Sequence, residues 1–276
     1  MSERNFIGPG DDDFIDEGVE ENGRTYAVYG QEEYGMPMDE VEMDRIGMAH
    51  EKYFILLEKK RFLAPIDTDV QKVLDLGIET VWSIGFADAY PSAEAWKKDT
   101  FDFDFARDLL FSGRNWPDLN SQCYDHITPG GWIEFQSIHG VLGCDDDTLP
   151  PDSKFCEYDK HVRAAAVAFG TPREYPASFK KWFDEAGFEA VVEKKYKIPS
   201  NPWPKDPRLK LIGALEQENL MTGLEGMSIR SLDKLGWNLD DSKRFLGEVK
   251  KEIQNRRKHP YYPFYVVYGR KPKQEN

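Results

Sequence analysis

Lys72-Val73-Leu74-Asp75-Leu76-Gly77 reads as a short apolar strand that closes on an acid and a glycine, and the run from Val81 to Ala89 is compatible with a helix. A strand, a tight turn and a helix in that order open an α/β sheet, where a glycine at the strand's carboxyl end lets backbone approach a ligand. Downstream, Phe101-Asp102-Phe103-Asp104-Phe105-Ala106-Arg107 alternates with period two, as a second strand does. Residues 116–126 read as a helix, Thr128-Pro129-Gly130-Gly131 as a turn, and Trp132-Ile133-Glu134-Phe135-Gln136-Ser137-Ile138-His139 as a third strand. Further helices are expected over about 153–169 and around Phe179, Trp182 and Phe183, the latter stopping at Gly187. A strand over 188–198, a helical insert within 200–258 and a closing strand over 262–268 complete the pattern. Strands alternating with helices predict an α/β protein with a doubly wound, mainly parallel sheet covered on both faces.

Upstream, the acids Asp39, Glu40 and Glu42 precede Met43, Ile46, Tyr53, Phe54, Leu56 and Leu57 at three- and four-residue spacings. This predicts an amphipathic helix over 39–58. The stretch Phe62-Leu63-Ala64-Pro65-Ile66 is expected to end it, because proline forces the preceding residue into extended geometry. Residues 1–23 hold Asp11-Asp12-Asp13, Asp16-Glu17 and Glu20-Glu21 and are expected to form a disordered, self-repelling tail. Residues 24–276 then make one domain, of which 24–70 is an N-terminal arm and helix. Tyr26, Tyr29 and Tyr34 either dock the arm or belong to a loose tail.

At 276 residues the chain can bury a full core as one domain. A formal net charge of −14 excludes a broad basic face and with it nucleic-acid binding. Three cysteines, Cys123, Cys144 and Cys156, without a CxxC spacing indicate neither a disulfide framework nor a zinc site. With no apolar run near the roughly 20 residues that span a bilayer and no apolar leader, a soluble protein of the cytoplasm or nucleus, with no membrane partner, is expected.

Four segments, in this order and spacing, together resemble the fungal LaeA-like methyltransferases, a branch of the class I S-adenosylmethionine-dependent fold. They are Val73-Leu74-Asp75-Leu76-Gly77, Phe86-Ala87-Asp88-Ala89-Tyr90-Pro91-Ser92-Ala93-Glu94, Thr128-Pro129-Gly130-Gly131-Trp132-Ile133-Glu134 and Tyr265-Val266-Val267-Tyr268-Gly269-Arg270-Lys271-Pro272. Pro202-Trp203-Pro204-Lys205-Asp206 and Leu235-Gly236-Trp237 add to it. The resemblance implies a Rossmann-like sheet of seven strands and S-adenosyl-L-methionine as cofactor at the carboxyl ends of its first strands. It also implies a small-molecule substrate in fungal specialised metabolism, or a regulatory role beside velvet-type partners. Asp75 and Gly77 match the family's first motif and are the expected cofactor-binding residues.

Two departures bear on that expectation. The family's Gly-x-Gly turn reads Gly77-Ile78-Glu79-Thr80-Val81-Trp82 in this chain, with one glycine and a charged, bulky replacement. Residues 77–100 must also hold a helix and, in the family, two more strands, yet a single βαβ unit needs roughly 30 residues. The second and third strands are therefore expected to be missing, with the join near Ala95-Trp96, and the cofactor site to be degraded. That leaves the first strand as a sheet edge, a place for a second copy of the chain or a regulatory protein. The functions this admits are a methyltransferase, an inactive regulatory or scaffolding protein, and a cofactor-independent cyclase.

For chemistry, His139 at the carboxyl end of the third strand is the candidate general base. Glu134 and Gln136 share a face of that strand, and a buried Glu134 needs a partner such as Arg107. The three either line a substrate pocket or form a structural ion pair. Trp116, Tyr124 and Trp132 either floor that pocket or belong to the core. His126 and His161 show no ligand spacing, so no metal is expected. Asp145-Asp146-Asp147 reads as a solvated loop, and the basic residues Arg256, Arg257, Lys258, Arg270, Lys271 and Lys273 as a cluster that pairs with the acidic N-terminal segment or stays solvated.

Overall fold

The computed structural model describes residues 18–27, 36–67, 70–76, 97–109 and 115–273. Strands β1 (Gly18–Glu21) and β2 (Arg24–Ala27) form an antiparallel hairpin that turns through Asn22 and Gly23, both with positive φ. The expected tail over 1–23 is thus corrected in its last part, while residues 1–17 lie outside the described residues. Of its described acids, Glu20 accepts from the Thr25 hydroxyl at 2.7 Å. Glu21 accepts from Arg230 at 2.7 Å, and Arg24 donates to Asp39 at 2.6 Å. Tyr26 is buried, donates its hydroxyl to the Gly226 carbonyl and lies 3.6 Å from the Arg230 guanidinium, so the arm docks through it. Tyr29 and Tyr34 lie outside the described residues.

Helix α1 (Glu40–Leu56) opens on Asp39, whose carboxylate accepts from the Glu42 amide. It stops earlier than expected: Glu58 and Lys59 take φ of 56° and 65°, so the chain reverses before Pro65 and the proline is not the terminator.

The main sheet contains β3 (Val73–Asp75), β4 (Phe101–Arg107), β5 (Ile127–Ile138), β6 (Glu189–Pro199) and β7 (Tyr261–Arg270) in the order β3-β4-β5-β7-β6. β3, β4 and β5 run parallel, and β7 is antiparallel to both of its neighbours. Among the described residues β3 is an edge, with Val73 54% exposed. One face of the sheet carries α1, α3 (Lys154–Ala168), α5 (Pro207–Lys234) and α6 (Leu239–Ile253), packed on Ile138, Phe264 and Val266. The other carries α2 (Trp116–His126) and α4 (Phe179–Ala186), packed on Ile133, Phe135 and Val267. Helices on both faces make the sheet doubly wound. The 200–258 insert is α5 and α6.

The expected turn at 128–131 is absorbed into β5. Phe101 pairs with Ile127 but Phe103 with Trp132, so extra residues bulge out of the ladder, and Gly130 accommodates them at φ +86°. Gly187 ends α4 at φ +96°, as expected of a capping glycine. The basic cluster is divided by the length of β7: Lys258 pairs with Glu252 before it, and Arg270 and Lys271 pair with Glu189 and Asp99 at its far end. The acidic loop is also engaged rather than merely solvated, Asp145 by Lys197 and Tyr261 and Asp146 by His259 and Thr148. Among the described residues no helix is long and apolar enough to cross a membrane.

Candidate functional site

Parallel pairing brings the carboxyl ends of β3, β4 and β5 side by side, where open α/β sheets form their crevices. Asp75, the last residue of β3, is exposed, and the Leu76 amide after it donates to the Phe105 carbonyl at 2.7 Å. Gly77, the helix expected over 81–89 and the join at Ala95-Trp96 lie outside the described residues, so of the two expected cofactor-binding residues Asp75 is the one described.

At the end of β4 stands an acid to which sequence reasoning assigns no role. Asp108 follows the last residue of the strand at φ +51°. Its carboxylate accepts from the Ile138 amide at 3.0 Å, from the Ser137 hydroxyl at 3.4 Å and from the Tyr53 hydroxyl. It thereby fastens α1 and the end of β5 to one point. A signal for it exists, since Asp108 closes an alternating strand as Asp75 closes β3.

Arg107, Gln136 and Glu134 are brought together, all buried. The expected direct Glu134–Arg107 pair is replaced by a relay. Arg107 Nε donates to Gln136 Oε1 at 2.9 Å, and Gln136 Nε2 donates to Glu134 Oε1 at 2.5 Å. Both also donate to the Arg61 carbonyl, at 2.8 and 3.0 Å, and Arg107 Nη1 lies 2.9 Å from His50 Nδ1 on α1. Glu134 Oε2 accepts the Leu63 and Ala64 amides at 2.7 and 2.5 Å. Burial pushes the Glu134 carboxyl up, against the pull of Gln136, these two amides and Arg107. The cluster is a clamp that binds the strap 61–64 across the sheet.

His139 is one residue beyond β5, half-buried, with its amide donating to the Pro263 carbonyl and its ring 5.5 Å from that of Tyr265. Tyr265 of β7 pairs with Ser137, two residues before His139. Nδ1 is buried without a hydrogen-bond partner. Burial lowers its affinity for a proton, against the charge and a main-chain hydrogen bond of Glu174 and the charge of Asp159.

A second buried acid also escapes the sequence patterns. Asp104 is fully buried, and its carboxylate faces the Cys123 thiol of α2. Burial pushes both the Asp104 carboxyl and the Cys123 thiol well up. The alternating Phe-Asp-Phe-Asp pattern suggests a solvated acidic face, but α2 covers that face at Asp104, while Asp102 stays partly exposed and accepts the Gln71 and Lys72 amides. Trp116 packs among Phe135, Phe179 and Trp182 as core rather than pocket floor. Among the described residues no group of three or more His, Cys, Asp or Glu side chains is placed to hold a metal ion.

No protein-family model matches the chain. Curated relatives do. Methyltransferase pytC of Aspergillus terreus is 32% identical over 282 residues, covering 91% of this chain and 87% of that protein. The secondary metabolism regulator LAE1 of Cochliobolus heterostrophus is 30% identical over 291 residues, covering 92% and 95%. The chain belongs to the LaeA-like methyltransferase family. A further relative of this LaeA-like methyltransferase is the probable methyltransferase tdiE of Emericella nidulans, 32% identical over 263 residues, covering 84% and 83%. Among the described residues the sheet has β3 at its edge.

Proposed function

We propose that this protein is a small-molecule methyltransferase of fungal specialised metabolism that takes S-adenosyl-L-methionine at the carboxyl end of β3. The observation that carries the reading is the similarity to Methyltransferase pytC across 91% of the chain. The residues at that end fit the cofactor in chemistry: it is cationic at its sulfonium and ammonium, and Asp75 offers an exposed carboxylate at the strand terminus. Asp75 and Gly77 would hold it, and when bound it supplies an electrophilic methyl group. The chain's own work is to orient the acceptor and remove its proton. His139 accepts a proton from a substrate oxygen or nitrogen, and the clamp of Arg107, Gln136 and Glu134 fixes the strap and α1 as a wall of the crevice. Calorimetric titration with S-adenosylmethionine tests the reading. Micromolar binding, weakened in Asp75→Asn, supports it, and absence of binding at millimolar cofactor overturns it.

A second reading is a regulatory or scaffolding protein on the same fold, or a cyclase needing no cofactor. Among the described residues β3 is an edge with Val73 exposed, which favours a protein partner or a second copy of the chain there. Sedimentation of the wild type against Val73→Lys reads that association directly, and identical behaviour of the two as monomers would remove it.

A further inference from the structure

The carboxylate of Asp108 is held by uncharged donors. Oδ1 accepts from the Ile138 amide at 3.0 Å and the Ser137 hydroxyl at 3.4 Å, and Oδ2 accepts from the Tyr53 hydroxyl. Tyr53 is itself fully buried, with its ring stacked on Phe264 at 4.7 Å, so this donor is fixed. The basic residue next to Asp108 in sequence does not neutralise it, because the Arg107 guanidinium is directed at Gln136, His50 and the Arg61 carbonyl. Asp108 is partly exposed, and Oδ2, with one described donor, keeps room for another contact.

Its place relative to Asp75 follows from the register. Asp75 pairs with Phe105, and Asp108 lies three residues further along the neighbouring strand. With a rise of about 3.3 Å per residue and strands about 4.8 Å apart, the two Cα atoms are roughly 11 Å apart. Two carboxylates thus stand at successive levels of the same crevice.

We propose that Asp108 is a cofactor-binding residue that faces the sulfonium of S-adenosyl-L-methionine, while Asp75 takes its ammonium. The inference rests on the reading of the carboxyl end of β3 as the cofactor site. A short carbon chain joins the two cations of the cofactor, as the crevice separates the two acids. A carboxylate already oriented by neutral donors keeps those hydrogen bonds when a cation arrives and gains a counter-charge. The same charge distinguishes loaded from spent cofactor. When the acceptor's lone pair takes the methyl carbon, the S–CH3 bonding pair stays on sulfur and the acceptor's proton goes to His139. The thioether left behind is neutral, and Asp108 no longer attracts it.

The test is calorimetric titration of the full chain with S-adenosylmethionine and, separately, with S-adenosylhomocysteine, which keeps the ammonium but has a neutral sulfur. In Asp108→Asn the affinity for the first is expected to fall by about tenfold or more, and for the second by less than about twofold. Asp75→Asn lowers both alike. An unchanged ratio of the two affinities in Asp108→Asn, whether both fall together or neither moves, overturns the inference and leaves the cofactor reading standing. A wild type that binds neither ligand at millimolar concentration overturns both. Retained binding of S-adenosylhomocysteine reports an intact fold. Asp108→Ser, whose hydroxyl still offers an acceptor to the Ile138 amide, provides the same comparison where the asparagine variant folds poorly.

Discussion

Glu134 accepts the backbone amide of Ala64 at 2.5 Å across 70 residues of sequence. With the Leu63 amide on the same oxygen, one carboxylate closes the strap over the sheet. Replacing Glu134 by Leu leaves the buried Ala64 and the partly buried Leu63 N–H groups without acceptors, and a loss of about 2–4 kcal/mol is expected. Urea unfolding measures it, and hydrogen exchange at residues 61–64 should accelerate in the variant.

Lys52 is fully buried and donates to Glu216 at 2.5 Å, joining α1 to α5. Lys52→Met leaves Glu216 charged and buried, at an expected cost of about 3–5 kcal/mol. The double variant Lys52→Met/Glu216→Leu should recover most of that loss. A double-mutant cycle in which the two single losses simply add would contradict this account.

Asp104 makes stability depend on pH. Its folded carboxyl is raised by burial above the unfolded value, so the folded chain binds the proton more tightly. Its contribution is therefore greatest below about pH 4 and declines as pH rises from there to the raised folded value. Asp104→Leu should gain about 1–3 kcal/mol at pH 7 and little at about pH 3.5. Thermal melts of both proteins across that range give the difference, and a gain independent of pH would show that Asp104 is not the group responsible.

Two glycines separate backbone strain from crowding. A Cβ at Gly187 would meet only Tyr124, at 3.5 Å, so Gly187→Ala should cost about 1 kcal/mol from its φ of +96°. At Gly131 a Cβ would fall 2.7 Å from the Ile127 side chain and 2.9 Å from the Asp102 carbonyl, so Gly131→Ala should cost more than about 2 kcal/mol. Chevron or melt data on the pair establish the ranking.

The alternation in 101–107, the capped amphipathic run after Asp39 and the glycine stop at 187 are local patterns, and each produced the element it predicted. Boundaries set by conformation rather than composition were not legible. Glu58 and Lys59 end α1 through left-handed geometry that nothing in their chemistry announces, and Thr128-Pro129-Gly130-Gly131 reads as a turn although it is a bulge inside β5. In the site, the period-two rule correctly put Glu134 and Gln136 on one face. It could not supply Arg61, Leu63 and Ala64, whose backbone groups arrive only when the strap folds over.

By itself the sequence determined the ancestry, the order of the described strands and helices from α1 onward, and the placement of Asp75 and His139 at strand ends, because periodicity and motif order are properties of the chain read in line. Tertiary structure alone decided what each charged group faces. Asp104 was turned inward by α2, Glu134 was given amides instead of a guanidinium, and Arg163 was given Asp159 and Glu174 to bridge. The reason is that burial and electrostatic partnership depend on distances between segments far apart in the chain, which no local pattern encodes.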